Sequence, residues 1–223
     1  MKFYIVTKAK ENEQITMQYL SKIGEIAPSI SECDMVVSVG GDGTLLSVGK
    51  LALAHDKPVV GINAGHLGYL CAFKIEEISQ LTLNDFINLK ETKRTLLEYE
   101  NHLAINDICV LKENPIQSIE LEVKNVGYWK GDGVIVSTAT GSSSYNQAAG
   151  GPILDPLSSD IIVTPICPHF AKQGYKILKD EEIIIKISPR VPALLSCDNE
   201  IIGPISGTIA IKKSNKVLKL LSK

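Results

Sequence analysis

The sequence lacks the signatures of several protein classes. It has no Cys-x-x-Cys pair, and its five cysteines and four histidines are scattered, so a zinc site has little support. We expect the cysteines to be core thiols that form no disulfide, as is typical of a reducing cytoplasm. No apolar run approaches the roughly 18 residues of a membrane span, and the amino terminus turns polar too soon for a signal peptide.

An excess of charge of one sign is also missing. The chain carries 23 basic and 25 acidic side chains, a net charge of −2. This balance gives no basic field for nucleic acid or for an anionic membrane, so we expect neither as a partner. With 223 residues, of which 44% are hydrophobic, the chain is long enough for one large domain or two small ones with real cores.

Three familiar catalytic sequences are absent. There is no Gly-x-Ser-x-Gly elbow for a nucleophilic serine, and no Gly-x-Gly-x-x-Gly for a hydride-transfer enzyme. The segment from Gly43 to Lys50 is only superficially similar to a Walker A loop, because five residues separate its glycines and Leu51 replaces the Ser or Thr. Phosphate binding, if present, must use another loop.

Such a loop follows the apolar run Met35–Val39. It consists of Gly40, Gly41, Asp42, Gly43 and Thr44. The pattern predicts a buried strand that ends in a phosphate-binding glycine turn, followed by a helix, at the sheet edge where α/β proteins bind ligands. Because a carboxylate repels phosphate, Asp42 indicates a partner such as a sugar hydroxyl, a metal ion or a proton. An ordinary Asp-Gly turn remains the alternative.

A second Gly-Asp-Gly, at 131–133, precedes an apolar stretch and a hydroxyl-rich turn. Six of the eight residues from 137 to 144 carry hydroxyl groups, which can bind phosphate, ribose or a base edge. Tyr145 offers a flat surface on which a purine could stack, worth about 1–3 kcal/mol in nucleic-acid systems. The alternative is a serine-rich surface loop with Ser142 or Ser143 as a helix N-cap.

Periodicity divides the chain into two textures. In the first part, strands are predicted at Lys2–Lys8, Asp34–Val39 and Pro58–Ile62, and helices at Glu11–Gly24, Leu45–His55 and Glu76–Leu89. Further strands are predicted at Thr95–Tyr99, His102–Leu111, Ser118–Val123, Val134–Ser137, Glu182–Ile187, Thr208–Lys212 and Lys216–Leu221, with one helix near Ser142–Gly150. The predicted fold class is an α/β amino-terminal domain with a Rossmann-like parallel sheet (1–95), a β-rich domain (96–205), and carboxyl-terminal strands (206–223) that pack back on the first domain.

Several segments occur in the order seen in NAD kinases. They are GGDGT at 40–44, GINAGHLGYL at 61–70, Asn106-Asp107, GDGVIVSTATGSSSYNQAAGGPI at 131–153 and TPICP at 164–168. The chain thus resembles a compact bacterial NAD kinase. The resemblance implies phosphorylation of the adenosine 2′-hydroxyl of NAD to NADP, with ATP as donor and Mg²⁺ arriving with the ATP.

The resemblance also implies roles for individual residues. Asp42 would be the base for the ribose hydroxyl, with Gly43 beside it. Asn106 and Asp107 would hold ribose hydroxyls, although Asp107 replaces the usual Glu and reaches about 1.5 Å less far. The adenine pocket would be walled by Ser143, Ser144, Tyr145, Asn146 and Ala148, while the remaining ligand contacts would come from Lys130, Asp132, Cys167 and Asn199.

Within this group, Lys130 and Asp132 would reach the nicotinamide end or the diphosphate, in part from a neighbouring subunit. Cys167 would line the pocket with its backbone, and Asn199 would reach the ligand where the family usually has glycine. We therefore expect a homodimer or homotetramer whose interface lies in the β-rich half. Two other functions stay open: a lipid kinase of the diacylglycerol type, which shares GGDGT, and a non-catalytic dinucleotide-binding sensor.

Overall fold

The computed structural model describes residues 1–65, 68–169, 174–179 and 182–223. His66 and Leu67, within the GINAGHLGYL segment, lie outside the described residues. The described chain forms two compact units, one of residues 1–93 with 217–223 and the other of residues 94–216. The segment 206–223 therefore contributes to both units. None of the described helices is long and apolar enough to cross a membrane.

The first unit is a parallel sheet with helices. Its elements are β1 (Lys2–Thr7), α1 (Lys10–Leu20), β2 (Glu25–Ile26), β3 (Met35–Gly40), α2 (Asp42–Ala54), β4 (Val59–Asn63), β5 (Phe73–Lys74) and α3 (Leu83–Ile87). β1 pairs with β2 and β3, and β4 with β3 and β5, all in parallel. β3 and β4 are buried along almost their whole length, Ser38 and Asn63 included, which is typical of central parallel strands with both faces covered.

One helix prediction in this unit is wrong. The segment predicted as a single helix, Glu76–Leu89, forms a 3₁₀ helix at Ile75–Gln80 and then the separate α3. Thr82 interrupts it with extended backbone, and both its N–H and its Oγ1 donate to the Asp85 carboxylate at 2.7 Å. This capping arrangement starts a new helix rather than continuing the old one.

The second unit is built almost entirely of strands. Its elements are β6 (Lys90–Tyr99), β7 (His102–Ala104), β8 (Asp107–Lys112), β9 (Ile119–Val123), β10 (Gly127–Gly131), β11 (Gly133–Thr138), α4 (Tyr145–Ala148), β12 (Ile161–Ile166), β13 (Lys176–Leu178), β14 (Ile183–Ile187), β15 (Ala193–Cys197), β16 (Glu200–Ile205) and β17 (Gly207–Ser222). β6 begins, and β17 ends, in the first unit.

The strands of the second unit pair antiparallel. One run follows the order β10-β9-β14-β17 and another the order β13-β12-β11-β8-β15-β16. The alternation predicted for β9 is present, because Ile119, Leu121 and Val123 are buried in the core. The single tryptophan, Trp129, is also buried, and its Nε1–H donates to the Gly133 carbonyl at 3.1 Å.

Some strand predictions need correction. The two strands predicted at 208–212 and 216–221 are one continuous strand, β17, whose last residues pair with β4 in the first unit. The sequence did not predict β10, β12, β13, β15 or β16. β12 and β16 each contain a proline, which weakens the strand signal. The fold class itself, an α/β amino-terminal part followed by a β-rich part, is confirmed.

Candidate functional site

The GGDGT segment lies where a strand meets a helix in the first unit. β3 ends at Gly40, Gly41 is the N-cap residue, and Asp42 is the first residue of the 13-residue α2. The first turn of a helix has N–H groups without intrahelical acceptors, and the helix dipole adds partial positive charge there. This end of α2 therefore favours an anion, and Asp42 sits at its tip.

The Asp42 carboxylate is held by two backbone groups of the same unit. The N–H of Leu70 donates to Oδ1 and the N–H of Tyr69 donates to Oδ2, each at 3.0 Å. A carboxylate can accept about four hydrogen bonds, so each oxygen keeps a lone pair for another donor. The two amides fix the direction of a carboxylate that remains partly exposed.

The glycines of this loop serve different purposes. A Cβ at Gly40 would lie 2.5 Å from the Thr44 Oγ1, so the fold itself needs glycine at that position. Outside α2 itself, a Cβ at Gly43 would meet no atom of the described residues within 4 Å, and Gly43 is exposed. The packing of this unit therefore does not explain Gly43, whereas a ligand that approaches the backbone closely would.

Cys71 lies beside the same loop. Its Sγ is 3.9 Å from the Gly40 carbonyl oxygen. Burial, and to a lesser degree the Asp42 charge, raises the pKa of the Cys71 thiol to about 12. The thiol therefore stays protonated and places no second negative charge next to Asp42. A cavity of about 300 Å³ also opens here, and its lining includes Gly68, Tyr69 and Cys71.

In the second unit, Asn106 and Asp107 stand at the start of β8. Asp107 is buried, and the Cys109 thiol donates to its Oδ1 at 3.4 Å. Burial, with a smaller effect from Asp107, raises the pKa of Cys109 well above its ordinary value, so this group remains a donor. The Asn106 Oδ1 is buried and accepts no hydrogen bond from the described protein atoms. It is an acceptor without a donor.

Asp198 organises this segment, and the sequence analysis did not identify it. Its carboxylate accepts the N–H groups of Ile105 at 2.8 Å, Asn106 at 2.7 Å and Asp107 at 3.3 Å. Asp198 and Asn199 form the two-residue turn between β15 and β16, with φ of 48° and 70°. Positive φ at both positions is typical of a type I′ turn, in which asparagine and glycine are favoured, so the turn alone accounts for the exposed Asn199.

The hydroxyl-rich segment presents an exposed row of side chains. β11 is followed by a 3₁₀ turn at Thr140–Ser143 and by the four-residue α4. Ser143, Ser144, Tyr145 and Ala148 are exposed. Burial of part of the ring raises the pKa of Tyr145, although 41% of the residue stays accessible. Neither Ser142 nor Ser143 caps α4, because Ser144 is the N-cap residue.

Asn146 differs from its neighbours, because it is fully buried. Its Nδ2 donates to the carbonyls of Ser142 at 3.0 Å and Pro152 at 2.9 Å, and its Oδ1 accepts the Thr164 hydroxyl at 2.6 Å. A Cβ on Gly151 would lie 2.1 Å from that Oδ1. The structure thus places Asn146 beneath the exposed row as a brace, and not in the wall of a pocket.

The second Gly-Asp-Gly lies between β10 and β11. Asp132 forms a 2.6 Å ion pair with Lys112, a partner that the sequence analysis missed. Lys130 pairs across the strands with Glu120 at 3.8 Å. A Cβ on Gly133 would lie 2.2 Å from the Val110 carbonyl oxygen, so this glycine is required by strand packing.

The cysteine prediction is correct only in part. All five cysteines are thiols without a disulfide, and Cys33, Cys109 and Cys197 are buried as expected. Cys71 is partly buried, whereas Cys167 is exposed and has a φ of 45°. The Cys167 carbonyl packs against Gly131, because a Cβ on Gly131 would lie only 2.8 Å from the Cys167 carbonyl oxygen.

The surroundings of these residues also bear on the chemistry. Within the described residues, no group of three or more His, Cys, Asp or Glu side chains is arranged to hold a metal ion. The larger groove, about 650 Å³, lies over β9 and β10 beside Tyr128 and Lys186, and none of the predicted site residues lines it. The residues that carry phosphoryl-transfer chemistry therefore lie outside this groove.

Two family models match the chain. The model of the ATP-NAD kinase amino-terminal domain matches residues 5–91, and that of the ATP-NAD kinase carboxyl-terminal domain matches residues 103–222. The chain belongs to the ATP-NAD kinase family. The NAD kinase of Chlorobium phaeobacteroides is 34% identical over 216 residues, covering 86% of this chain and 72% of the relative. That of Sulfurimonas denitrificans is 33% identical and covers 86% and 73%.

Solved structures agree with the family assignment. An NAD kinase from Archaeoglobus fulgidus in complex with ATP superposes with a TM-score of 0.80 at 26% identity, covering all of this chain and 94% of that one. A yeast NADH kinase complexed with NADH has a TM-score of 0.79 at 23% identity, which shows a shared fold. The prediction of an NAD kinase enzyme is confirmed, and the lipid-kinase and sensor alternatives are not favoured.

Proposed function

We propose that this ATP-NAD kinase transfers the γ-phosphoryl group of ATP to the 2′-hydroxyl of the adenosine ribose of NAD and releases NADP and ADP. The observation that carries the proposal is the position of the Asp42 carboxylate. Asp42 lies at the start of α2, two backbone amides fix the direction of its carboxylate, and the neighbouring Gly43 is not required by packing. Phosphoryl transfer depends on positioning and charge neutralisation, and this loop offers both.

In this proposal Asp42 orients and deprotonates the acceptor. The 2′-hydroxyl donates a hydrogen bond to a carboxylate oxygen, and its proton passes to Asp42 as the bond from the 2′-oxygen to the γ-phosphorus forms. The bond from that phosphorus to the bridging oxygen of ADP breaks, and ADP leaves. The backbone of Gly40, Gly41, Gly43 and Thr44 would face the phosphates at the positive end of α2.

The second unit would bind the dinucleotide. Asn106, with its unused buried acceptor, and Asp107 would hold ribose hydroxyls. Ser143, Ser144, Tyr145 and Ala148 form an exposed row that suits a flat adenine ring. The backbone of Cys167 would complete the pocket, and Lys130 and Asp132 would reach the nicotinamide end or the diphosphate.

Magnesium enters this scheme with its substrate. The described residues offer no cluster of His, Cys, Asp or Glu for a resident ion, so we treat Mg²⁺ as part of the Mg·ATP substrate. It would neutralise the phosphate charge, while the side chains of the enzyme position the acceptor hydroxyl. We also propose the cytoplasm as its compartment, because the described cysteines form no disulfide.

We further propose that the enzyme is a homodimer or homotetramer assembled through its β-rich unit. The outer face of β9 and its neighbours carries Glu120 and Glu122 next to Lys130 and Lys186, with a largely exposed Tyr128. Such alternating charge is complementary to a second copy in the opposite orientation. Light scattering at assay concentration should give a mass of at least two chains, and a fully active monomer would contradict this.

The test of the activity uses the purified protein with NAD, ATP and Mg²⁺. An NADP-specific dehydrogenase detects the product, and diacylglycerol replaces NAD in a parallel reaction. The proposal expects NADP that depends on both ATP and enzyme. Phosphorylation of the lipid alone would favour the lipid kinase, and NAD binding without turnover would favour the sensor.

A further inference from the structure

We propose that Asp198 is a positioning residue for NAD binding: it fixes the backbone from which the Asn106 and Asp107 side chains project. The inference rests on the proposed function, in which these two side chains hold ribose hydroxyls. Asp198 itself acts through the segment and needs no contact with the substrate.

We call the Asp198 carboxylate, together with the backbone N–H groups of residues 105–107 that donate to it, the clamp. One oxygen of the Asp198 carboxylate accepts the N–H of Asn106 at 2.7 Å and that of Asp107 at 3.3 Å, and the other accepts the N–H of Ile105 at 2.8 Å. Three consecutive N–H groups thus converge on one side chain that lies more than 90 residues away in the sequence. Hydrogen bonds to an ionised acceptor are about twice as strong as neutral ones.

The carboxylate is itself held in place. Asp198 lies in a two-residue turn with φ of 48°, and its own N–H donates to the Asp107 carbonyl at 3.0 Å. β15, which leads into the turn, pairs with β8 through Cys197 and Ile108. The turn therefore both donates a hydrogen bond to the segment 105–107 and accepts hydrogen bonds from it. Asp198 cannot shift without disturbing the pairing of β15 with β8.

The other side of the segment is equally constrained. The Asn106 carbonyl accepts the N–H of Thr138 at 2.9 Å and the Ser137 hydroxyl at 3.3 Å. A Cβ on Gly141 would lie 2.2 Å from the same carbonyl oxygen, so the backbones are in close contact. The peptide of Asn106 is thus fixed on both sides, and its Oδ1, for which the described residues supply no donor, is presented in a defined direction.

The experiment compares NAD binding in wild type and Asp198→Asn. The amide keeps the size of the side chain but turns one oxygen into an N–H₂ group that faces a backbone donor. We expect the Kd and the KM for NAD to rise about tenfold, because small misplacements of binding groups have large effects, while the KM for ATP stays within about twofold. Asp155→Asn is the control, since Asp155 also accepts a backbone N–H, from Leu157 at 2.9 Å, and should leave both constants unchanged.

The outcomes separate the two proposals. Calorimetry measures the Kd for NAD in wild type and Asp198→Asn and does not require turnover. If the wild type binds NAD but makes no NADP, the proposed function fails, and the change in Kd still tests the role of Asp198. An unchanged Kd for NAD in folded Asp198→Asn would overturn the positioning role. A loss of folded enzyme with unchanged KM values would show a merely structural residue and would overturn it as well.

If Asp198→Asn does not fold, hydrogen exchange on the wild type supplies the test. The amides of Ile105 and Asn106 donate to the carboxylate, so they should exchange as slowly as the ladder amides of β8. Exchange as fast as that of exposed loop amides would overturn the proposal.

Discussion

The two Gly-Asp-Gly triplets share a sequence but differ in what their atoms touch. At 41–43 the carboxylate is held by the backbone amides of Tyr69 and Leu70, and the second glycine faces open space. At 131–133 the carboxylate is neutralised by Lys112, and both glycines lie where a Cβ would collide with backbone carbonyls. The first triplet leaves room for a ligand beside its second glycine, whereas both glycines of the second triplet are required by packing, so that only Asp132 of that triplet is proposed to reach the ligand.

The largest effect should come from exchanging the two aspartates for asparagine. Asp42→Asn should lower kcat at least a hundredfold, because an amide cannot accept the proton and acid–base catalysis is typically worth 10²–10⁴-fold. Asp132→Asn should raise the KM for NAD and change kcat less than about tenfold. Steady-state NADP formation measures both variants, and equal losses of kcat would remove the distinction between the triplets.

Thermal and urea unfolding of both Asp42→Asn and Asp85→Asn control for local damage. Asp85, like Asp42, accepts backbone hydrogen bonds in the first unit, but it lies outside the proposed machinery. Asp85→Asn should lose some stability and keep its turnover. A matching loss of turnover in that control would indicate that the effect at Asp42 reflects stability.

The next largest effect, a loss of stability, should come from a glycine substitution in the second triplet. Gly133→Ala places a methyl group 2.2 Å from the Val110 carbonyl oxygen. The backbone of one of the two strands must move to relieve this clash. We expect the free energy of unfolding to fall by about 3 kcal/mol. Urea denaturation measures the change, and a variant as stable as the wild type would show that this glycine is not required by packing.

The smallest effect is expected at the turn of Asp198. Asn199 has a φ of 70° and is exposed, so Asn199→Gly should change the stability by no more than about 0.5 kcal/mol and leave the NAD affinity within about twofold. Calorimetry with NAD provides the measurement. A marked fall in affinity would mean that the asparagine side chain contacts the ligand, as the family resemblance implied.

Local patterns in the sequence predict the strands and turns whose formation depends on residues close to one another in sequence. The apolar run before Gly40 predicts β3, and the glycine turn places Asp42 at the start of α2. The alternation at Ile119–Val123 likewise predicts an antiparallel strand. These elements depend on periodicity and turn chemistry, which a single sequence displays.

The features that were missed depend on contacts between distant residues. Asp198 binds amides more than 90 positions away, and its neighbours in sequence give no sign of this. The same holds for Lys112 beside Asp132, and for Asn146, whose Oδ1 accepts the hydroxyl of Thr164 in β12. A carboxylate in a turn or an amide in a polar segment looks the same in sequence whether it binds a ligand or the backbone.

Gly43→Ala separates ligand binding from folding at the first triplet, because this glycine borders the open space beside Asp42. The added methyl group would lie more than 4 Å from every described atom outside α2, so the free energy of unfolding should stay the same or rise by up to about 1 kcal/mol as alanine favours the helix. NADP formation should nevertheless fall at least about tenfold, since the methyl group would occupy space proposed for the nucleotide. A stable Gly43→Ala enzyme with wild-type NADP formation would show that the nucleotide does not occupy the space beside Gly43.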